Sequence, residues 1–178
     1  MTELHRALTR RKKSELVDVL MELAQADRGA LRQLNDRFDV AVSPEGLVAR
    51  TRQAISDATA FDKRDINRNF AYDHAAYAEV RRNLGRPIAS GQLHLAMQLA
   101  LELMKRGSYQ VEMSDEGLMT EDIEDCLSVV IGSLTEGGVP GDEVLAWCAA
   151  MRAGDRMGFI AEKPLATLRE RVQTDARQ

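Results

Sequence analysis

Apolar residues recur along this chain three and four positions apart, the spacing of helices, and strict alternation is almost absent. From Ser14 to about Ala26, Leu16, Leu20 and Leu23 fall at i, i+4 and i+7, and Val17, Met21 and Ala24 widen the stripe. Asp27 reads as the N-cap of a second, short helix carrying Leu31, Leu34 and Phe38. Ser43-Pro44-Glu45 combines a hydroxyl cap, a proline suited to the first turn and an acid at the positive end of a helix dipole. The third helix it opens holds Leu47, Val48 and Ile55 and fades near Ala58. Residues 59–72 break the pattern and read as a long ordered connection. A fourth helix is expected from about Asp73 to Leu84, ended by Gly85 and Pro87.

The segment from about Ser90 to Arg106 is the most informative. Leu93, Leu95, Ala96, Met97, Leu99, Ala100, Leu101, Leu103 and Met104 make it apolar around most of its girth, and His94, Gln98, Glu102 and Lys105 form one narrow polar stripe. Such a helix needs neighbours on most sides, so it is predicted to stand inside the fold, with Gly107 stopping it. A sixth helix follows from Gly117 or Thr120 to Leu134, and Gly137-Gly138-Val139-Pro140 is a firm break. A seventh, about Gly141 to Ala153, carries Val144, Leu145, Trp147, Cys148 and Met151, and a last one starts near Pro164 with Leu165, Leu168 and Val172.

The fold class is therefore all-α: seven or eight helices in antiparallel hairpins, arranged as an irregular helical repeat (solenoid-like) or as a bundle. The Trp, Leu-Gly, Tyr, Ala and Pro pattern of tetratricopeptide repeats is missing. A length of 178 residues suits a single all-helical domain over 1–178, with 1–13 either joined to it or a flexible basic N-terminus. A chain this long has enough interior to fold without metal or disulfide. No run of 18 apolar residues is present, so no membrane contact is expected. The charged opening MTELHRALTRRKKSEL lacks the apolar core of a signal peptide. Cys126 and Cys148 are accordingly expected to be reduced thiols in a cytoplasm.

Charge changes the picture in one respect. Residues 1–89 carry 16 Lys+Arg against 13 Asp+Glu, and residues 90–178 carry 8 against 15, so +3 and −7 make up the net −4. The basic excess gathers at Arg6, Arg10, Arg11, Lys12 and Lys13; the acidic one runs from Glu112 to Asp125. Opposite ends of this kind suit solvated faces, a polyanion-binding end, or a contact between copies of the chain.

Chemistry is sparse. His5, His74 and His94 lie 69 and 20 residues apart, without the Glu-x-x-His or paired-cysteine spacing of metal sites, so no metal and no cofactor is expected. The acids Glu121, Asp122, Glu124 and Asp125 lack the glycine and alternating oxygens of a calcium loop and suit a helix's first turn. There is no Gly-x-Ser-x-Gly turn and no glycine-rich phosphate cradle. Cys126 and Cys148 fall on apolar helix faces, where a thiol behaves as a small hydrophobe. His94 has Glu102 two turns away, a general-base arrangement on paper but more simply a solvated stripe. The binding candidates are Arg10, Arg11, Lys12 and Lys13, and in the 59–72 connection Lys63, Arg64, Arg68 and Tyr72, which combine cations with aromatic rings. A pI near 5.5 weighs against nucleic acid.

Ser14-Glu15-Leu16-Val17 through Glu22-Leu23-Ala24, then Asp27 and Leu31-Arg32, resembles the opening of an uncharacterised bacterial helical-repeat family that includes regions following SWIM-type zinc fingers. Phe70-Ala71-Tyr72-Asp73 is similar to that family's aromatic-acid segment before a helix, and Glu112-Met113-Ser114-Asp115-Glu116-Gly117 to its acidic turn, so the likeness covers roughly Ser14 to Leu134. The zinc finger is absent, since no Cys-x-Cys or Cys-x-His pair exists. The resemblance implies an all-helical scaffold and brings no catalytic residue with it. The expected function is a non-catalytic protein–protein interaction module, with a homo-oligomer through the opposite charges of the two halves as one form. A nucleic-acid accessory using the basic N-terminus and an enzyme with an inter-helix site are the alternatives.

Overall fold

Short polar side chains set the helix starts. Ser43 Oγ accepts the Gly46 N–H at 3.1 Å, Asp27 Oδ1 that of Gly29 at 2.7 Å, and Asp73 Oδ1 that of Ala76 at 2.9 Å. The computed structural model describes residues 2–38, 43–69, 72–114 and 120–175. Among these the helices are α1 (Thr2–Thr9), α2 (Lys13–Ala26), α3 (Arg28–Arg37), α4 (Pro44–Ala58), α5 (Lys63–Asn69), α6 (His74–Ala89), α7 (Leu93–Met113), α8 (Thr120–Glu136), α9 (Gly141–Gly154) and α10 (Glu162–Asp175), and there is no strand. The all-α class is as expected; eight of the ten helices answer to the predicted ones. The other two, α1 and α5, are short, of eight and seven residues. Asp62 organises α5 by accepting the Arg64 and Asp65 N–H groups at 2.8 and 3.2 Å, so the 59–72 connection contains a helix.

The chain divides into two compact units, Met1–Val42 and Ser43–Gln178. In the second, α4, α6, α8 and α10 touch in succession, while α7 meets α4, α6, α8 and α9. That makes α7 the pillar its composition demands: Leu99, Ala100, Leu103, Met104 and Val111 are buried, as is the Trp147 ring of α9, whose Nε1 donates to the Met97 carbonyl at 2.9 Å. Its polar stripe ties the helices together at the rim. His94 Nε2 lies 2.9 Å from Glu143 of α9, and Glu102 pairs with Arg52 of α4 at 3.2 Å. His94 and Glu102 are thus engaged on different neighbours and do not face one another.

Two predicted stops are passed. Gly85 and Pro87 lie inside α6, which ends at Gly91 instead: with φ +71°, Gly91 donates to the Ile88 carbonyl at 2.9 Å and Gln92 to that of Pro87 at 2.7 Å, a left-handed cap that Pro87 does not obstruct because it supplies only a carbonyl. Gly107 does not stop α7, which continues to Met113; a Cβ there would lie 2.7 Å from Ile123 Cδ1, so this glycine is what lets α8 approach α7 so closely.

The first unit is built differently. Its α2 and α3 pack together, yet Ala24 is the one apolar residue buried among those described in it. Leu16 and Leu34 are half-buried, while Val17, Leu20, Met21 and Leu23 are exposed, so the apolar stripe of α2 is largely uncovered.

Candidate functional site

Two features outside the α7-centred core gather side chains whose arrangement is more than packing. One is a groove of about 540 Å³ between α6 and α8. Asp122, in the first turn of α8, accepts the Tyr72 hydroxyl at 2.8 Å, and His74 Nδ1 lies 3.0 Å from the same oxygen. The Tyr72 ring rests 3.9 Å from the His74 ring and meets Tyr77 edge-on at 5.9 Å. One turn along, Arg81 of α6 reaches Asp125 at 3.2 Å. Burial, and then the carboxylate it donates to, push the Tyr72 phenol above its ordinary range.

Beneath the groove, Cys126 is buried and donates its thiol hydrogen to the Tyr77 carbonyl at 3.3 Å. Burial and the nearby Asp122 charge push this thiol up to about 12, so it holds its proton near neutral pH and offers no thiolate nucleophile. Tyr72, His74 and Arg81 meet Asp122 and Asp125 of α8, and the chemistry is that of a clasp between the α6 side and α8. Two more acids of the run seen in the sequence hold partners elsewhere: Glu124 accepts the Ala161 N–H at 3.1 Å, and Glu112 holds Arg156 at 2.6 Å. Asp115 and Glu116 lie outside the described residues. Among those described, no three His, Cys, Asp or Glu side chains come together as a metal site.

The other feature is the apolar face of the first unit. Of the eleven large hydrophobic side chains exposed among the described residues, nine belong to it: Leu4, Leu8, Val17, Val19, Leu20, Met21, Leu23, Leu31 and Phe38. Only Tyr109 and Phe159 stand elsewhere. At 3.6 residues per turn, the apolar positions of α2 from Val19 through Leu23, Leu16, Leu20, Ala24 and Val17 to Met21 span roughly 200° of its circumference. Glu15, Asp18, Glu22 and Gln25 fill the opposite side. A groove of about 660 Å³ runs between α2 and α3, floored by Leu20, Leu23, Ala30 and Leu34 and edged by Gln33 and Arg37.

The basic candidates fall in both units. Arg10, Arg11, Lys12 and Lys13 are all exposed, the last opening α2, with the Lys12 backbone N–H held by Glu15 at 3.3 Å. Lys63, Arg64 and Arg68 stand on α5 of the second unit, all three exposed. Tyr72 is turned into the α6–α8 groove, where its hydroxyl is bound to Asp122. The structure therefore brings Tyr72 to His74 and Asp122, partners 2 and 50 residues away; the Asp122 contact leaves no mark in a local pattern.

No family model matches this chain, and neither a curated protein nor a solved structure matches it.

Proposed function

We propose that this protein is a non-catalytic interaction module that presents the α1–α3 face to a protein partner. The observation that carries the reading is the concentration of exposed apolar side chains there: nine of eleven in residues 4–38. Apolar surface gathered in one small unit is costly to leave in water and marks binding faces on folded proteins. The second unit supplies the contrast, with its large side chains in one continuous core around α7. No helix among the described residues is long and apolar enough to cross a membrane, which favours a protein partner over a bilayer span. Two free, buried thiols suit a reducing cytoplasm, where we place the protein.

The test is affinity capture from the native organism with two baits, the wild-type chain and V17E/M21E, both residues being about half exposed. A specific partner is retained by the first and lost by the second, with unchanged helical circular dichroism. Equal recovery on both baits refutes the docking face.

A second reading rests on Arg10, Arg11, Lys12 and Lys13, four successive exposed cations where α1 gives way to α2. As a nucleic-acid accessory the chain would bind a generic duplex with an affinity that falls steeply with salt, and neutralising the four residues would flatten that dependence. Binding insensitive to salt or to those substitutions eliminates phosphate contact there.

A further inference from the structure

We propose that the groove between α9 and α10 binds a small carboxylate with a short apolar body, its charged end held by Arg169. The groove encloses about 260 Å³, just below the roughly 300–1,000 Å³ of sites for drug-sized ligands, so its occupant is small. Its floor is apolar, made by Cys148 and Ala149 of α9 and by Leu165 and Ala166 of α10. The two alanines leave the gap, each putting a methyl where a longer side chain would fill it. The hairpin is antiparallel, because a Cβ on Gly141 at the start of α9 would lie 2.9 Å from Val172 near the end of α10. That register sorts the charged residues of the lining. Arg152 and Glu162 come to the end beside the connecting loop, so opposite charges share it. Arg169 comes to the other end, level with Leu145.

Arg169 is the residue that lacks a partner. It is half-buried, and its Nε is shut from solvent with no hydrogen-bond acceptor. Burial raises the Cys148 thiol and the Arg169 charge pulls it back, so the guanidinium stands close to the groove floor. Among the described residues no carboxylate pairs with Arg169, whereas Arg50, Arg52, Arg81, Arg106 and Arg156 each hold one. A guanidinium partly withdrawn from water without a counter-charge is under-solvated, and an anion in the groove restores what it lost. Its Nη groups stay accessible and offer the parallel donors that a carboxylate accepts bidentately. The alkyl body then lies over Ala149 and Ala166, covering apolar floor that a bare phosphate would leave wet.

The experiment is a nuclear magnetic resonance titration of the full chain near neutral pH, following backbone amide shifts. The probes are hexanoate, hexanol, acetate and inorganic phosphate, each taken to about 10 mM. Hexanoate is expected to give saturable shifts in α9 and α10 with a dissociation constant at or below about 1 mM, in keeping with its few heavy atoms. The other three bind weaker by about tenfold or more. R169Q keeps most of the stem and loses the charge; A149L keeps the charge and fills the groove from an exposed position. Each is expected to weaken hexanoate about tenfold or more with helical circular dichroism unchanged, while R152Q changes it less than about twofold. Hexanol binding as well as hexanoate, or R169Q leaving the affinity unchanged, overturns the role of the charge. Acetate or phosphate binding as tightly as hexanoate, or binding that survives A149L, overturns the apolar body. A loss in R152Q equal to that in R169Q overturns the placement of the carboxylate at Arg169. Hexanoate shifts that fail to saturate, or that map outside α9 and α10, overturn the site itself.

Discussion

Gly107 is where helix propensity and packing make opposite predictions, and their magnitudes decide between them. In mid-helix, alanine is better than glycine by about 1 kcal/mol, so G107A would stabilise α7 if nothing stood nearby. A Cβ at this position, however, lies 2.7 Å from Ile123 Cδ1 and 3.1 Å from Cγ1, and Ile123 is fully buried in α8, so its chain end has nowhere to swing. Forcing an extra methyl into a filled core costs roughly 1–3 kcal/mol. At the middle of that range G107A loses about 1 kcal/mol net. This corresponds to a melting temperature lower by roughly 2–4 °C for a chain of this length. The partner substitution I123V, which removes Cδ1, costs about 1 kcal/mol on its own. In G107A/I123V the alanine methyl takes the space of the missing Cδ1, so the double variant returns close to wild type and the cycle shows a coupling of about 2 kcal/mol. Urea unfolding followed by far-ultraviolet circular dichroism reads all four chains. A G107A protein more stable than wild type, or additive losses in the double variant, would refute the claim that this glycine exists for the α7–α8 approach.

Two further outcomes follow from buried polar groups. The Tyr77 hydroxyl donates to Gln110 Oε1 at 2.6 Å, and Gln110 Nε2 donates to the Ala58 carbonyl at 3.0 Å, a chain of bonds linking α6, α7 and the end of α4. Q110A strands both partners and is expected to cost about 2–4 kcal/mol, more than Y77F, which strands one acceptor and costs about 1–2 kcal/mol; equal losses in urea unfolding would show the network is not shared. Cys126 gives a pH prediction: its thiol titrates near 9 in an exposed chain and is pushed up to about 12 in the fold. Below pH 9 both states hold the proton and this group adds no slope; above it the unfolded state loses the proton first, so stability falls as pH rises toward 12, by up to about 1.4 kcal/mol per pH unit. Tyr72, Tyr77 and Cys148 shift in the same direction, so C126A should flatten the alkaline decline between pH 9 and 10 without abolishing it. An unchanged slope in C126A would show that the thiol is not held protonated by the fold.

What the sequence made legible was whatever depends on near neighbours. Ser43, Asp27 and Asp73 begin helices where their side chains and following residues say they should, because a cap is satisfied within three residues. The composition of α7 disclosed its central place, since a helix apolar on most sides has few other places to be. Punctuation by glycine and proline was less secure. Gly85, Pro87 and Gly107 all read as stops, yet the glycine that ends α6 is Gly91, marked by the two bonds that close around it. Whether a glycine bends the chain or admits a neighbour depends on the facing helix, and for Gly107 that is Ile123, sixteen positions on and without local trace. The α6–α8 clasp was invisible for the same reason. Tyr72 stood out for its ring and its basic surroundings, but its partner Asp122 read as one more acid in a first turn.

The stripe of α2 exposes a deeper ambiguity in hydrophobic periodicity. Leu16, Leu20 and Leu23 repeat as regularly as Ile123, Leu127, Val130 and Leu134 of α8, and the pattern alone assigns both helices to a core. In α8 those positions are buried against α6, α7 and α10; in α2 Leu20 and Leu23 are exposed. Periodicity reports that a face is apolar and says nothing of which molecule covers it. The difference lies in what stands around each helix: α8 has three large neighbours in its own unit, whereas α2 has α3, a ten-residue helix whose positions are mostly polar. A strongly apolar face joined to a small, polar partner helix is therefore the part of the pattern that its own hairpin leaves exposed. Residue order alone suffices to find it, once each stripe is weighed against the apolar surface available within its own hairpin.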